Sequence, residues 1–500
     1  MPPPPICEFM TRFPGEGLTF DDVALCTEYA DFLPDAASIK SRFSRNVQLN
    51  IPFVSAAMDT VTESDMAIAM ALAGGIGVVH KNLTAERQSE EVGCVKGFLN
   101  GLIETPVVFA KDIRVADVMA EKEAKQFTFA GFPIIDADGF LCGILTARDI
   151  KFLGDYHVPV SEVMTVDVIT GPVGTTLTEA YEIMTRDKVG KLPIVDDDGR
   201  LAGLYSFQDV KSLISNIDSN INRDEQHKLR VAAAIGSYDF DRAQMLAEAG
   251  VDALVIDTAH GHTKAVIETV RQVKSTLDSV DVVAGNIATA DAAVALLEAG
   301  ADAVKIGIGP GSTCTTRVVT GVGVPQLTAI FDVYDRIGDE VPIIADGGIR
   351  HSGDVPKALA AGGNSVMMGS VLAGTKESPG EKILHQGRTY VVYRGMGSVE
   401  ALKESEGSRQ RYSHADIQES STVVPQGIEG IVLYRGPADE VLTQFAGGLK
   451  FALGYCGSRD LEELRCKGRF VRVSYAGLRE AHPHDIKIIK DAPNYSSGDL

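Results

Sequence analysis

One of seven cysteines, Cys314, lies in the stretch Gly307–Gly323 (GIGPGSTCTTRVVTGVG), directly after the apolar run Ala303–Ile306 (AVKI). Gly309, Gly311, Gly321 and Gly323 allow positive φ and close approach of backbone to a ligand. Ser312, Thr313, Thr315 and Thr316 surround the thiol with hydroxyls. A cysteine on a polar loop at a strand end is open to solvent, unlike Cys142, which has Leu141 and Gly143-Ile144 as neighbours in the manner of structural thiols. The loop supports two chemistries: nucleophilic attack by Cys314, or a tight phosphate-binding loop with an incidental thiol. Three further segments carry phosphate and sugar grips. Asp346-Gly347-Gly348 offers a carboxylate that can accept two ribose hydroxyls, and glycines whose N–H groups can face a phosphate. Gly369-Ser370 repeats that equipment, and Tyr393–Ser398 (YRGMGS) adds a hydroxyl, a cation and flexible glycines. Singly, each is an ordinary turn; in order along consecutive strand ends they read as a nucleotide site.

The elements that must position these residues form a series. From residue 228 onward short apolar runs, Ala253–Asp257, Val282–Gly285, Ala303–Ile306, Ile343–Asp346 and Ser365–Met368, alternate with helical stretches such as Phe240–Ala249, Ala290–Ala299 and Val355–Ala361. Upstream, Ile51–Ala57 and Gly77–His80 follow the same rhythm. Strand–helix alternation predicts a parallel α/β architecture. About eight such units fit a (β/α)8 TIM barrel better than a doubly wound sheet, because no GxGxxG opens the first βα unit. Each run ends in small or polar residues, at the end of a barrel strand where active-site chemistry sits.

The series is interrupted by an internal repeat. Residues 131–150 (GFPIIDADGFLCGILTARDI) match 191–210 (KLPIVDDDGRLAGLYSFQDV): Pro133 with Pro193, Asp136 with Asp196, Gly139 with Gly199, Gly143 with Gly203, Asp149 with Asp209. Each copy reads as strand, Asp/Gly turn, strand and helix start, and two such copies predict two modules packed together. The pattern resembles a tandem pair of CBS modules (a Bateman domain). The expected organisation is therefore a catalytic barrel in two pieces, 1–103 and 215–500, with a CBS pair over 104–214 (about 104–155 and 160–214) inserted between them. CBS pairs bind adenine or guanine nucleotides, so ATP or GTP is the ligand implied there; the alternative is a structural spacer.

Composition narrows the function class. The chain has 500 residues, 45% hydrophobic and 23% charged, as expected of a globular protein. A formal charge of −21 disfavours nucleic acid and anionic membranes as partners. Any phosphate site must be built locally. An odd cysteine count without a CxxC pair argues against a disulfide framework and a zinc site. The start Met-Pro-Pro-Pro-Pro has no signal-peptide pattern, and no apolar run reaches about 18 residues. A reducing, cytoplasmic location is expected.

Taken together, Gly307–Gly323, Asp346–Ile349, Met367–Ser370 and Tyr393–Ser398 resemble the IMP dehydrogenase/GMP reductase family. So do Ser55–Glu63 (SAAMDTVTE), Asp257–His262 (DTAHGH), Pro425–Gly430 (PQGIEG) and Ala476–Asp485 (AGLREAHPHD), and the likeness spans nearly the full chain. The resemblance implies NAD-dependent oxidation of inosine 5′-monophosphate through a covalent intermediate on Cys314. It places the 5′-phosphate against Ser312, Gly348, Gly369, Ser370 and Tyr393, and the ribose on Asp346. Met58, Met396, Gly397 and Gln426 are implied around the base. Asp257, Thr258, Asn286, Gly307 and Gly309 are implied on the NAD+ side. It implies K+ held by backbone carbonyls of Gly309, Gly311 and Cys314, completed by Glu480, Ala481 and His482 of a neighbouring subunit. A homotetramer follows, with an octamer through the CBS modules as the larger assembly. Residues 399–431 match the family's mobile flap, and Arg411-Tyr412 its Arg–Tyr pair, where the arginine is either a base for water or a cation that orients it. A guanidinium is a poor base at a pKa of about 12.5–13.8. Gln426 stands where family members often carry Glu and others carry Gln, and with Gln the proton route through Thr316 is weakened. Within the family the rival activity is GMP reductase, which uses NADPH and needs no water-activating arginine; Arg411-Tyr412 and Val318-Val319 favour the dehydrogenase. A non-catalytic nucleotide sensor is the remote alternative.

Overall fold

The computed structural model describes residues 5–12, 15–98, 102–103, 106–124, 131–151, 153–208, 210–211, 220–404, 424–489 and 492–495. Arg411, Tyr412 and Asp209 lie outside them, as does most of 399–431. The chain divides into two compact units, one of 1–96, 220–223 and 229–500, the other of 97–219 and 224–228.

The first unit is built on eight parallel strands, β1 (Phe53–Ser55), β2 (Ile76–Val79), β3 (Val231–Ile235), β4 (Ala253–Asp257), β5 (Asp281–Ile287), β6 (Ala303–Ile306), β7 (Ile343–Asp346) and β8 (Ser365–Met368). They close into a barrel in the order β3-β4-β5-β6-β7-β8-β1-β2. β4, β6, β7 and β8 have the boundaries expected from the sequence. β3, with the sequence VAAAI, lacks the β-branched signature and was not anticipated; it is buried along its whole length, so tertiary packing overrides propensity. Strands of a barrel covered on both faces read as continuous apolar runs, and here nearly every strand residue is buried.

The barrel interior is filled by Val54, Val78, Ala232, Ala234, Ala253, Val255, Val283, Ala303, Ile344 and Met367, which form one cluster drawn from all eight strands. Side chains alternate with period two along a strand. Two residues beyond Val255, Val283, Ala303 and Ile344, on the same inward face, stand Asp257, Gly285, Lys305 and Asp346. The uppermost layer at the C-terminal mouth is therefore polar, while the layers below it are hydrocarbon.

Outside, helices lay one apolar face on the strands. In Gln326–Ile337 the buried residues Leu327, Ile330, Val333 and Ile337 recur at helical spacing. Lys264–Thr276 starts at Thr263, whose hydroxyl accepts from the Val266 N–H. The opposite mouth is closed by carboxylates holding backbone: Asp302 accepts from Lys274 Nζ at 2.8 Å and from the Val282 N–H at 2.9 Å. Such contacts at the N-terminal face of a barrel serve stability.

The second unit contains the repeat. Hairpins Gly131–Ile135/Leu141–Thr146 and Lys191–Val195/Leu201–Ser206 carry equivalent register shifts, at Ile134/Ile135 and Ile194/Val195. In each turn an aspartate accepts from the N–H groups two and four residues on: Asp136 from Asp138 and Phe140, Asp196 from Asp198 and Arg200. The two turns also pair with each other, Leu141 N–H to Gly199 O and Leu201 N–H to Gly139 O, both at 3.2 Å. Two sequence copies thus become two copies of one local structure in reciprocal contact. Among the described residues no helix is long and apolar enough to cross a membrane.

Candidate active site

A cleft of about 730 Å3, partly open to solvent, lies over the C-terminal ends of the barrel strands. Its floor is the polar layer. Lys305, 1% exposed, donates to Asp346 Oδ2 at 2.7 Å, to Asp257 Oδ1 at 3.0 Å and to Asn286 Oδ1. Asn286 sits where the β5–β6 ladder skips a residue, and such an irregularity re-aims a side chain. Its amide N–H groups reach Asp346 Oδ2 at 2.8 Å and Gly307 O at 2.7 Å. Both contacts to Asp346 fall on one oxygen, which leaves Oδ1 of this partly exposed carboxylate to the cleft. Asp257 is 2% exposed and does not line the cleft, and the Thr258 hydroxyl is turned to Gly285 O at 2.7 Å. Lys81 Nζ donates to the main-chain oxygen of Asp257 at 3.1 Å.

The cysteine loop rises over this floor. Its Thr313–Thr315 segment pairs with 426–428: Ile428 N–H to Thr313 O at 2.9 Å and Thr315 N–H to Gln426 O at 3.1 Å. Cys314 is partly exposed, and its Sγ lies 3.1 Å from Thr316 Oγ1, which donates to Gln426 Oε1 at 3.0 Å. With its proton given to Gln426, the threonine can only accept from the thiol. If the carboxamide turns so that Nε2 faces Thr316, the hydroxyl proton becomes available to stabilise a thiolate. Beneath the loop, Arg317 donates to Ile308 O at 2.9 Å and to Val324 O at 2.5 Å, tying the two ends together. Gly309 and Gly323 are required here: a Cβ on either would come within 2.6 Å of the Arg317 stem. Burial pulls the guanidinium somewhat below its ordinary pKa, and the adjacent Cys314 opposes that shift.

The opposite wall presents neutral donors. After Asp346 the chain turns through Gly347 and Gly348, both left-handed at φ +91° and +85°. Gly369 leads into Ser370, and a Cβ at Gly369 would stand 2.8 Å from Tyr393 Oη. Tyr393 is buried. Desolvation pushes its hydroxyl pKa up, and hydrogen bonds with Ser312 and Thr313 counter part of that. Met58 Sδ lies 3.7 Å from the same hydroxyl. Met58, Met396 and Gln426 complete the lining.

The structure therefore gathers Met58, Asn286, Gly307, Gly309, Gly311, Ser312, Cys314, Asp346, Gly348, Gly369, Ser370, Tyr393, Met396 and Gln426 around one space. Gly397 stands just behind, its carbonyl accepting from the Gln426 N–H at 3.0 Å. Glu480, Ala481 and His482 do not line this cleft; His482 packs on His351 and Tyr495. Four residues that shape the site were not anticipated: Lys305, Arg317, Lys81 and Gln326, whose Nε2 donates to Ile306 O and Asp346 O at 2.9 and 3.1 Å. For Lys305 a signal existed, since a single charged residue interrupts an otherwise apolar buried strand.

Comparison with known proteins agrees with this geometry. The profile described as "IMP dehydrogenase / GMP reductase domain" matches residues 17–484. The chain is 49% identical over 489 residues to inosine-5′-monophosphate dehydrogenase of Halalkalibacterium halodurans, covering 97% of this chain and 99% of that one. It is 50% identical over 489 residues to the Aquifex aeolicus protein of the same name, covering 96% and 98%. Among solved structures, GMP reductase from Trypanosoma brucei in complex with guanosine 5′-monophosphate superposes with a TM-score of 0.82 at 36% identity, over 96% of this chain and all of that one. With its match running through the barrel, the cysteine loop and the cleft, the chain belongs to the IMP dehydrogenase/GMP reductase family.

Proposed function

We propose that the protein oxidises inosine 5′-monophosphate to xanthosine 5′-monophosphate with NAD+. The observation that carries this reading is Cys314 Sγ, held beside Thr316 in a cleft that the partly exposed carboxylate of Asp346 also lines. Relatives about half identical over nearly the whole chain bear the dehydrogenase name, which favours this activity over reduction of GMP.

Asp346 Oδ1 accepts ribose hydroxyls, while Gly348, Gly369, Ser370, Ser312 and Tyr393 donate to the phosphate. Thiolate adds to C2 of the purine and makes an S–C bond. C2 then loses its hydrogen with the electron pair, leaving a thioimidate on Cys314. NAD+ supplies the hydride acceptor. Water adds to the same carbon and gives up a proton, the S–C bond breaks, and the thiolate returns. The balance is one nucleotide, one NAD+ and one water consumed, with a proton and NADH formed. Arg411 serves the water step.

For a monovalent cation the donors fit in kind. Among the described residues no hydrogen bond falls on the carbonyls of Gly309 and Cys314, and that of Gly311 accepts one, from the Cys314 N–H. Hard backbone oxygens of this type suit K+ rather than zinc. A neighbouring subunit's Glu480, Ala481 and His482 complete the shell in a tetramer. The stretch 104–214, within the second unit, acts as a CBS pair that takes a purine nucleotide, and the protein works in the cytoplasm.

The decisive experiment incubates the full chain with inosine monophosphate and NAD+ in K+ buffer and, separately, with GMP and NADPH, following absorbance of the reduced dinucleotide. NADH appears in the first mixture, and Cys314→Ala abolishes it. Arg411→Ala keeps the first-turnover burst and slows the steady state. Consumption of NADPH in the second mixture alone would replace this reading with the reductase.

A further inference from the structure

Lys305 is buried to 1% exposure at the top of β6, yet carries an ammonium. A charge so placed survives only where partners replace its hydration. It has three: Asp257 Oδ1, Asn286 Oδ1 and Asp346 Oδ2. The partners are unequal. Asp257 is as buried as the lysine, at 2%, whereas Asp346 is 17% exposed and lines the cleft. Seen from the cleft, Asp257 anchors Lys305 from behind, and Lys305 grips one oxygen of Asp346 from below. Asn286 reinforces both ends, accepting from Lys305 and donating to the same Asp346 oxygen at 2.8 Å.

We propose that Lys305 is a specificity-determining positioning residue, which fixes the rotation of the Asp346 carboxylate so that it reads the ribose of the nucleotide. A free carboxylate turns about its bond to Cβ and presents either oxygen at many angles. With Oδ2 pinned by two donors, Oδ1 has one direction, and its lone pairs are committed to a neighbouring pair of hydroxyls. A site built to accept a hydroxyl discriminates strongly against an analogue that lacks it. Lys305 does not touch the substrate; it acts through Asp346. The inference rests on the assignment of Asp346 to the ribose.

The test measures binding of inosine 5′-monophosphate and its 2′-deoxy analogue to the full chain by calorimetry, without dinucleotide so that no turnover occurs. The unaltered protein is expected to prefer the ribonucleotide by about 10- to 150-fold, the range for one hydrogen bond to a charged acceptor. In Lys305→Met the preference falls to about threefold or less, because the carboxylate loses its fixed rotation; Lys305→Arg, which keeps the charge, restores a preference above tenfold. Lys305→Met leaves Asp257 buried without its charge partner. The double variant Lys305→Met/Asp257→Asn removes that liability and gives the same loss of discrimination if the single variant does not fold. A full ribose preference in either folded variant overturns the proposal. If the unaltered protein binds neither nucleotide, or binds both equally, the assignment of Asp346 is what has failed.

Discussion

Replacing Arg317 by methionine isolates the contribution of loop closure to catalysis. The side chain fastens Ile308 and Val324, residues that bracket the cysteine loop, through Nε at 2.9 Å and Nη2 at 2.5 Å. Hydrogen bonds from a charged donor contribute about 1.5–3 kcal/mol each, so the gross loss is about 3–6 kcal/mol. Arg317 is only partly buried, and water takes over part of what the carbonyls lose, which brings the net to about 2–3 kcal/mol. That corresponds to about a 30- to 150-fold shift towards an open loop. The pairing of 313–315 with 426–428 still holds the far side, so the effect falls at the lower end, about 30-fold in kcat. The thiol becomes more accessible as the loop opens. Iodoacetamide labelling of Cys314, followed by peptide mass spectrometry, should therefore accelerate while turnover falls. Gly323→Ala reproduces the phenotype, because its Cβ would meet the Arg317 stem at 2.6 Å. Unchanged turnover and unchanged labelling in Arg317→Met would refute the reasoning.

Tyr393→Phe removes one neutral donor from the wall proposed to hold the phosphate and should raise KM for the nucleotide about tenfold with kcat nearly unchanged. Because burial raises the tyrosine pKa above its ordinary value near 10, the hydroxyl stays protonated below that pH. The pH profile of kcat/KM should then show no basic limb below pH 10 that disappears in Tyr393→Phe. Gln426→Glu places a carboxylate against Thr316 Oγ1, where it can take a proton through the hydroxyl. In an Arg411→Ala background it should restore turnover about tenfold at neutral pH, and no gain would show that this route is closed. Nucleotide affinity should fall less than about threefold between 50 and 200 mM salt, because the phosphate donors are uncharged; a steep dependence would place a cation on the phosphate.

Much of this site was legible because strand ends carry chemistry in a barrel, and the ends are marked: Asp257, Gly285-Asn286, Gly307, Asp346-Gly347 and Gly369-Ser370 all follow apolar runs. Period-two alternation goes further, since counting two from Val255, Ala303 and Ile344 puts Asp257, Lys305 and Asp346 on one inward face. What the sequence hid was burial and partnership. Spacing along one strand does not say which side chains of other strands meet Lys305, and Arg317 reads as one more polar residue of a Gly-rich loop. β3 was hidden for the opposite reason: VAAAI has no strand signature, but small side chains fit the barrel interior. Asp257, read from the resemblance as a ligand contact, is 2% exposed and paired with Lys305, a partnership its place at a strand end does not reveal.

The charges of the site and of the whole molecule resolve a tension. A chain carrying −21 must bind a phosphate that it repels at long range. Adding exposed lysines at the mouth would answer the repulsion but would also attract every other anion. Among the described residues, nearby cations are committed elsewhere: Lys305 to Asp257 and Asp346, Arg317 to two carbonyls, Arg394 to Asp59 at 2.9 Å. In the proposed reading the phosphate is left to backbone N–H groups and hydroxyls, which are directional and match one geometry. Selectivity then resides in the positions of fixed dipoles, which act at short range and are little screened by salt. The cations fix those positions, under the loop, beneath Asp346 and beside the wall that carries Tyr393, so in this reading their contribution to binding is made through the groups they hold.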